Sequence, residues 1–109
     1  MSWNIVYSEQ ARLDLRRIYE YISNELCVPD TATNQARRIM QRIRSLDDMP
    51  LRHHLYEEEP WHSMGIRFFP VDNYLVFYLP NETEGIVNIV RIMYGGRDIR
   101  KQLSNTIKF

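Results

Sequence analysis

Apolar positions in the first quarter of the chain recur every three to four residues. Ala11, Leu15, Ile18, Ile22 and Leu26 fall on one stripe, widened by Tyr19, and predict an amphipathic helix over residues 9–26. Ser8 is a natural N-cap, and Glu9 suits the positive end of the helix dipole. Ahead of it, residues 3–7 (WNIVY) form a short β-prone run. Pro29 disfavours helical geometry at Val28 and should end the first helix. A second helix is then expected over residues 32–47, capped by Asp30 or Thr31. Its apolar face is Ala32, Ala36, Ile39, Met40, Ile43 and Leu46, while Arg37, Arg38, Arg42 and Arg44 fall largely elsewhere around it. So short a connection makes the pair an antiparallel hairpin.

The second half changes period. Residues 49–63 show neither helical nor strand spacing and carry two prolines, which reads as an ordered loop. MGIRFFP (64–70) predicts a strand ended by Pro70. YLVFYL (74–79) is apolar at every position, the mark of a central strand buried on both faces. IVNIVRIMY (86–94) completes a meander, and Gly95-Gly96 releases the chain into a short helix or tail. The expected fold is α+β, in the order β-α-α-β-β-β. An N-terminal helix hairpin packs on a small twisted, mostly antiparallel sheet, and residues 1–109 make one domain.

Composition narrows the setting. The chain has 109 residues, 44% of them apolar, enough for a core without metals or crosslinks. Cys27 stands alone, so no internal disulfide framework exists. With no membrane-length apolar run and no signal-peptide pattern, a cytoplasmic protein is expected. The zero net charge is unevenly spread: residues 37–56 carry five Arg against two Asp, and residues 91–109 five bases against one Asp. The acidic stretch 57–90 lies between them. Neutrality weakens a nucleic-acid reading while leaving room for a local basic face.

No common enzyme signature is present, and neither a cofactor nor a metal is expected. His53, His54 and His62 lack a converging geometry and a fourth ligand, which argues for loop or surface histidines. Glu57-Glu58-Glu59 reads as a solvated acidic turn rather than a catalytic carboxylate pair. Arg67 and Arg91 are single charges in apolar strands. Each is either a snorkelling or ion-paired structural residue, or a donor on a concave sheet face for phosphate or a partner's carboxylates. Arg91 should share a strand face with Val87, Ile89 and Met93, at the rim of an apolar surface. Arg97, Arg100 and Lys101 follow the double glycine, whose freedom to adopt positive φ can aim a basic cluster at a target. For Tyr56, Trp61 and Tyr94, core packing competes with base stacking or a partner-groove anchor.

Trp3, Ile5, Tyr7, Ser8, Ala11, Asp14, Leu15, Ile18, Tyr21 and Ile22, then Arg67, NYLVFY (73–78) and IVRIMYGGRD (89–98), follow one another in an ordered pattern. End to end, it resembles the RelE/ParE toxin superfamily of bacterial type II toxin–antitoxin (plasmid stabilisation) modules. The resemblance implies two helices against a twisted sheet and a cognate antitoxin partner, with a hetero-oligomer expected between the two. RelE-type members are metal-independent endoribonucleases cutting mRNA on the ribosome; ParE-type members block DNA gyrase. Leu75 stands where RelE-like chains usually carry a base, and Tyr94 and Gly96 stand where many members carry His and Arg. These departures favour a ParE-like, non-catalytic toxin. Arg67, Arg91, Tyr94 and Arg97 are the candidates should the chain be a ribosome-dependent mRNA interferase, and an inactive antitoxin-binding remnant is the third reading. For the ParE-like reading, Arg97, Arg100 and Lys101 are expected to meet the target, and Arg37, Arg38, Arg42 and Arg44 the antitoxin.

Overall fold

A computed structural model describes residues 3–96 and 98–106. The chain runs through β1 (Asn4–Tyr7), α1 (Glu9–Glu20) extended by a π-helical turn (Tyr21–Glu25), and α2 (Pro29–Arg44). Two 3₁₀ turns follow, Ser45–Asp47 and Pro50–Arg52, then α3 (Trp61–Met64), β2 (Arg67–Val71), β3 (Tyr74–Asn81), β4 (Ile86–Tyr94) and α4 (Ile99–Thr106). The strands form one sheet in the order β1-β4-β3-β2. β2, β3 and β4 are an antiparallel meander, and β1 joins β4 in parallel. None of the described helices is long and apolar enough to cross a membrane.

Ser8 caps α1 as expected, its hydroxyl accepting from the Ala11 N–H at 2.9 Å. The start of α2 differs. The helix begins at Pro29, with Val28 in the cap position and no side-chain cap bond, so neither Asp30 nor Thr31 fills that role. Proline lacks the N–H that a first-turn residue would leave unsatisfied, and its fixed φ already suits a helix. Asp30 instead lies in the first turn, against the dipole. Within the two helical stripes, Leu26 (53% exposed), Met40 and Tyr19 face solvent rather than the core.

The meander is displaced at its edges. Residues 64–66 are not strand: Met64 ends α3, and Gly65 closes that helix at φ +90°. Pro70 lies inside β2 rather than ending it, which an edge strand tolerates because no neighbour needs its missing N–H. Residues 49–63 contain two short helical segments, and Leu55 bridges to Arg67. That bridge adds a little cover to the β2 edge.

β3 is central and buried on both faces. Val76 and Tyr78 join the helix-side core with Ala11, Ile39, Ile43 and Leu46, whereas Phe77 joins a second cluster with Trp61, Ile66, Met93 and Leu103. Between Tyr78↔Ile89 and Phe77↔Arg91 the register slips, leaving Val90 as an extra residue. The bulge breaks the expected face. Val87 and Ile89 enter the helix-side core with Ile92, and Met93 enters the second cluster.

Tyr78 is fully buried and donates its hydroxyl to the Pro50 carbonyl at 2.6 Å. Burial pushes this phenol up to about 12, with Arg67 and Arg52 pulling weakly the other way. A raised phenol favours the protonated fold, so its contribution is complete below the unfolded value near 10 and is lost between roughly pH 10 and 12. Allowing for solvent screening, this window should remove roughly 1–2 kcal/mol. Denaturant titrations across it should show the fall, and Tyr78→Phe should flatten it; an unchanged slope would refute the assignment.

Candidate functional site

The strongest polar constellation joins α1 to β4. β1 ends at Tyr7, so the outer edge of β4 beyond Ile89 has no strand beside it. The start of α1 takes over. The Ser8 N–H donates to the Ile89 carbonyl and the Ser8 hydroxyl to the Val90 carbonyl, both at 3.0 Å. Asp14, nearly two turns further along α1, accepts the Ile92 N–H at 2.9 Å. The same carboxylate accepts two bonds from the Arg91 guanidinium, at 2.7 and 2.9 Å. Both side chains are buried, 6% and 8% exposed. Arg91 is thus an ion-paired structural residue inside the fold, not a rim residue, because α1 lies against the free edge of β4 and brings Asp14 to it.

This pair borders an open groove of about 1190 Å³ between α1, the start of α2, β4 and α4. Its lining includes Arg17, Tyr21, Tyr74, Tyr94 and Asn105. Tyr94 is half exposed and meets Tyr74 edge-on, with ring centroids 5.9 Å apart. Burial, then the neighbouring Tyr94 and Tyr21, raises the Tyr74 hydroxyl above its ordinary value. The double glycine serves Tyr94 differently from the expectation. Neither Gly95 nor Gly96 has positive φ; a Cβ on Gly96 would stand 2.7 Å from the Tyr94 ring. The glycine makes room for an aromatic rather than bending the chain.

Of the three described ribonuclease candidates, Arg91 and Tyr94 line one groove and Arg67 lies apart. Arg67 lies on β2 and Arg91 on β4, with β3 between them. Arg67 donates to the Leu51 and His53 carbonyls at 3.1 and 2.7 Å, holding the 50–54 segment to the sheet. Arg97 lies outside the described residues. Arg100 ion-pairs with Glu58, which also accepts from Tyr56, while Lys101 is exposed. The Arg100 hydrogen bond holds the Glu58 carboxyl below its usual range. Glu59 accepts from the Ser63 N–H and hydroxyl, so the triple-Glu segment is a set of tethers rather than a merely solvated turn.

On α2, Arg38 pairs with Asp72 at 2.8 Å, and Gln35 donates to the same oxygen at 2.9 Å. Those two bonds, Arg38's first, lower the Asp72 carboxyl. Arg42 lies over the Phe69 ring at 5.6 Å, Arg37 reaches only Asn34, and Arg44 is exposed. Tyr56 and Trp61 pack in the second cluster with Phe68 and Phe77. His53 stacks on Phe69 at 4.5 Å, and His62 lies near Glu59. Asp14 was legible as one position of the family-like pattern, three residues after Ala11, but with no role assigned; an acid there and a lone Arg in an apolar strand are the two halves of this buried pair.

The sequence matches the family described as the ParE toxin of type II toxin–antitoxin systems, parDE, over residues 5–99. No curated protein gives a significant match. Among solved structures, the chromosomal ParDE toxin–antitoxin system from P. aeruginosa superposes with a TM-score of 0.70 at 18% identity, covering 85% of this chain and 96% of that one. The RelBE2 toxin–antitoxin complex from Mycobacterium tuberculosis gives 0.62 at 18% identity, with 86% and 99% covered. A free arginine double mutant of the E. coli toxin RelE gives 0.66 at 11% identity, with 99% and 97% covered. These likenesses show a shared fold, two helices on a four-stranded mixed sheet. With the match running through the helix hairpin, the whole sheet and the Asp14–Arg91 pair, the chain belongs to the ParE toxin family of type II toxin–antitoxin systems.

Proposed function

We propose that this toxin acts in the cytoplasm by binding a macromolecular target, with DNA gyrase favoured over the ribosome, and is neutralised by a cognate antitoxin. One observation carries the preference for binding over catalysis. Arg91, the candidate placed deepest in the sheet, spends its charge on Asp14, and Arg67 is held apart on β2. A phosphoryl-transfer site needs donors and a proton carrier converging on one reacting group. An antitoxin is supported by the neighbours, which are described as ParDE and RelBE complexes. We assign its segment to the helix hairpin and adjoining sheet edge, meeting Arg37, Arg38, Arg42 and Arg44. Arg38 is already engaged by Asp72, so an acidic segment must compete for it or use the other three.

Arg97, Arg100 and Lys101 are the proposed target contacts. Arginine stays protonated at neutral pH, so it binds an anionic surface rather than shuttling protons. Glu58 must release Arg100 before that side chain can serve a target. Arg97→Ala should weaken target binding roughly 10- to 100-fold, the scale of a lost charge-assisted hydrogen bond, and leave the melting temperature and antitoxin affinity nearly unchanged. Growth arrest at matched soluble expression, gyrase supercoiling and ribosome-bound mRNA cleavage together test this. Full toxicity in Arg97→Ala removes the C-terminal cluster as the working surface. Cleavage of ribosome-bound mRNA with gyrase untouched makes the chain an interferase, and growth unaffected by the wild type makes it an antitoxin-binding remnant.

A further inference from the structure

On the helix-bearing side of the sheet, three arginines from three segments gather around His53. Its imidazole stacks on Phe69, and the Arg42 guanidinium lies over that ring at 5.6 Å. Arg67 donates to the His53 carbonyl. Arg52, the preceding residue, is fixed by the Ser45 hydroxyl at 2.7 Å and the Asp48 carbonyl at 2.6 Å, with longer bonds to the Ser45 and Met49 carbonyls. Among the described residues, none of these three guanidiniums reaches a carboxylate. Asp72, which feels Arg42, is already held by Arg38 and Gln35. Asp47 and Asp48 are exposed and form no ion pair among the described residues.

From this convergence we propose that Arg42, Arg52 and Arg67 form a phosphate-binding cluster for the backbone of a single-stranded nucleic acid. Like charges are gathered at one place, on stems partly pre-set by backbone acceptors, and among the described residues no carboxylate stands within ion-pair distance of them. Phosphate oxygens accept from several guanidinium forks at once, and fixed forks lose little freedom on meeting them. A run of peptide carboxylates suits a strip of cations better than a focus. The exposed Arg42 plane and the half-buried His53 ring are surfaces on which an unstacked base can lie, which a duplex does not present. The imidazole reports on occupancy. Burial first, then Arg52, Arg42 and His54, holds His53 below its ordinary value. Tyr78, edge-on to the ring, and Arg67 complete its surroundings. An arriving anion must raise it.

The cluster stands independently of the antitoxin reading except for Arg42, which both use. The test is fluorescence anisotropy of the full chain with a labelled single-stranded RNA of about 12 nucleotides, and the matching DNA, over a salt series. Arg42→Gln and Arg67→Gln should each lower the slope of log affinity against log salt by about 0.7 and weaken binding about tenfold at fixed salt. His53, followed by NMR, should titrate at higher pH with the oligonucleotide bound. Arg42 touches only the ring face, so its variant remains informative if Arg67→Gln does not fold. Unchanged affinity and slope in Arg42→Gln overturn the proposal. So does a polyglutamate peptide that binds more tightly than the oligonucleotide, which would make the cluster a protein-docking face. Antitoxin affinity measured on the same variants separates this failure from failure of the antitoxin reading.

Discussion

Asp14→Ala is expected to cost about 3–5 kcal/mol of folding stability, because it strips two buried groups of one acceptor. Arg91 keeps its charge where only 8% of its side chain meets solvent, and the Ile92 N–H loses its partner at the end of the sheet. A buried charge that loses its counter-ion costs more than the pair contributes, since the remaining contacts of Arg91 no longer offset its desolvation. At this chain length the melting temperature should drop by more than about 10 °C. Asp14→Asn should be milder, keeping an acceptor for the Ile92 N–H while weakening the hold on Arg91. The double variant Asp14→Leu, Arg91→Met should recover much of the loss, because it removes the charge instead of stranding it. Equilibrium denaturation of the wild type, Asp14→Leu, Arg91→Met and the double variant closes the cycle, with Asp14→Ala and Asp14→Asn measured beside them. A single-variant loss below about 1 kcal/mol would falsify the claim that this carboxylate holds α1 to β4.

Phe77→Ala should be the counterpart on the opposite face, at about 3–5 kcal/mol. Phe77 is fully buried in the central strand, stacked on Phe68 at 5.9 Å and edge-on to Tyr56 at 5.5 Å. Tyr56 and Phe68 are only half-buried, so the cavity opens beside the segment carrying Trp61 and beside Leu103 of α4. Hydrogen exchange should therefore rise first in residues 54–66 and 99–105, with α1 and α2 still protected. Equal loss of protection in both helices of the hairpin would show that the two clusters unfold as one. Ile39→Ala, in the helix-side core, should give the reverse order.

Much of this architecture was legible along the chain. The three-to-four spacing of apolar residues marked both helices, since a helix must bury a stripe. The unbroken YLVFYL run marked the central strand, since only a strand covered on both faces is apolar throughout. Boundaries were less legible wherever a residue's role depends on its neighbours in space. Pro70 could remain in a strand because that strand lies at an edge, and Pro29 could open a helix because the hairpin turn left its nitrogen free of any bond.

The site divides in the same way. The sequence by itself determined that Arg67 and Arg91 were charges in apolar surroundings, each requiring an answer to its desolvation. Only the tertiary structure decided the answers: a carboxylate 77 residues away for Arg91, and loop carbonyls for Arg67. The physical reason is that a buried charge finds its partner through space: α1 lies against the free edge of β4 and brings Asp14 to Arg91. Strand alternation read from sequence also assumes an unbroken period of two, and one extra residue at Val90 brings Ile92 into the helix-side core and moves Met93 to the opposite one. Composition located the basic stretch of residues 37–56. Its focusing onto His53, through Phe69 on a strand far along the chain, is a property of the folded chain alone, because attraction and stacking act through space and not along the sequence.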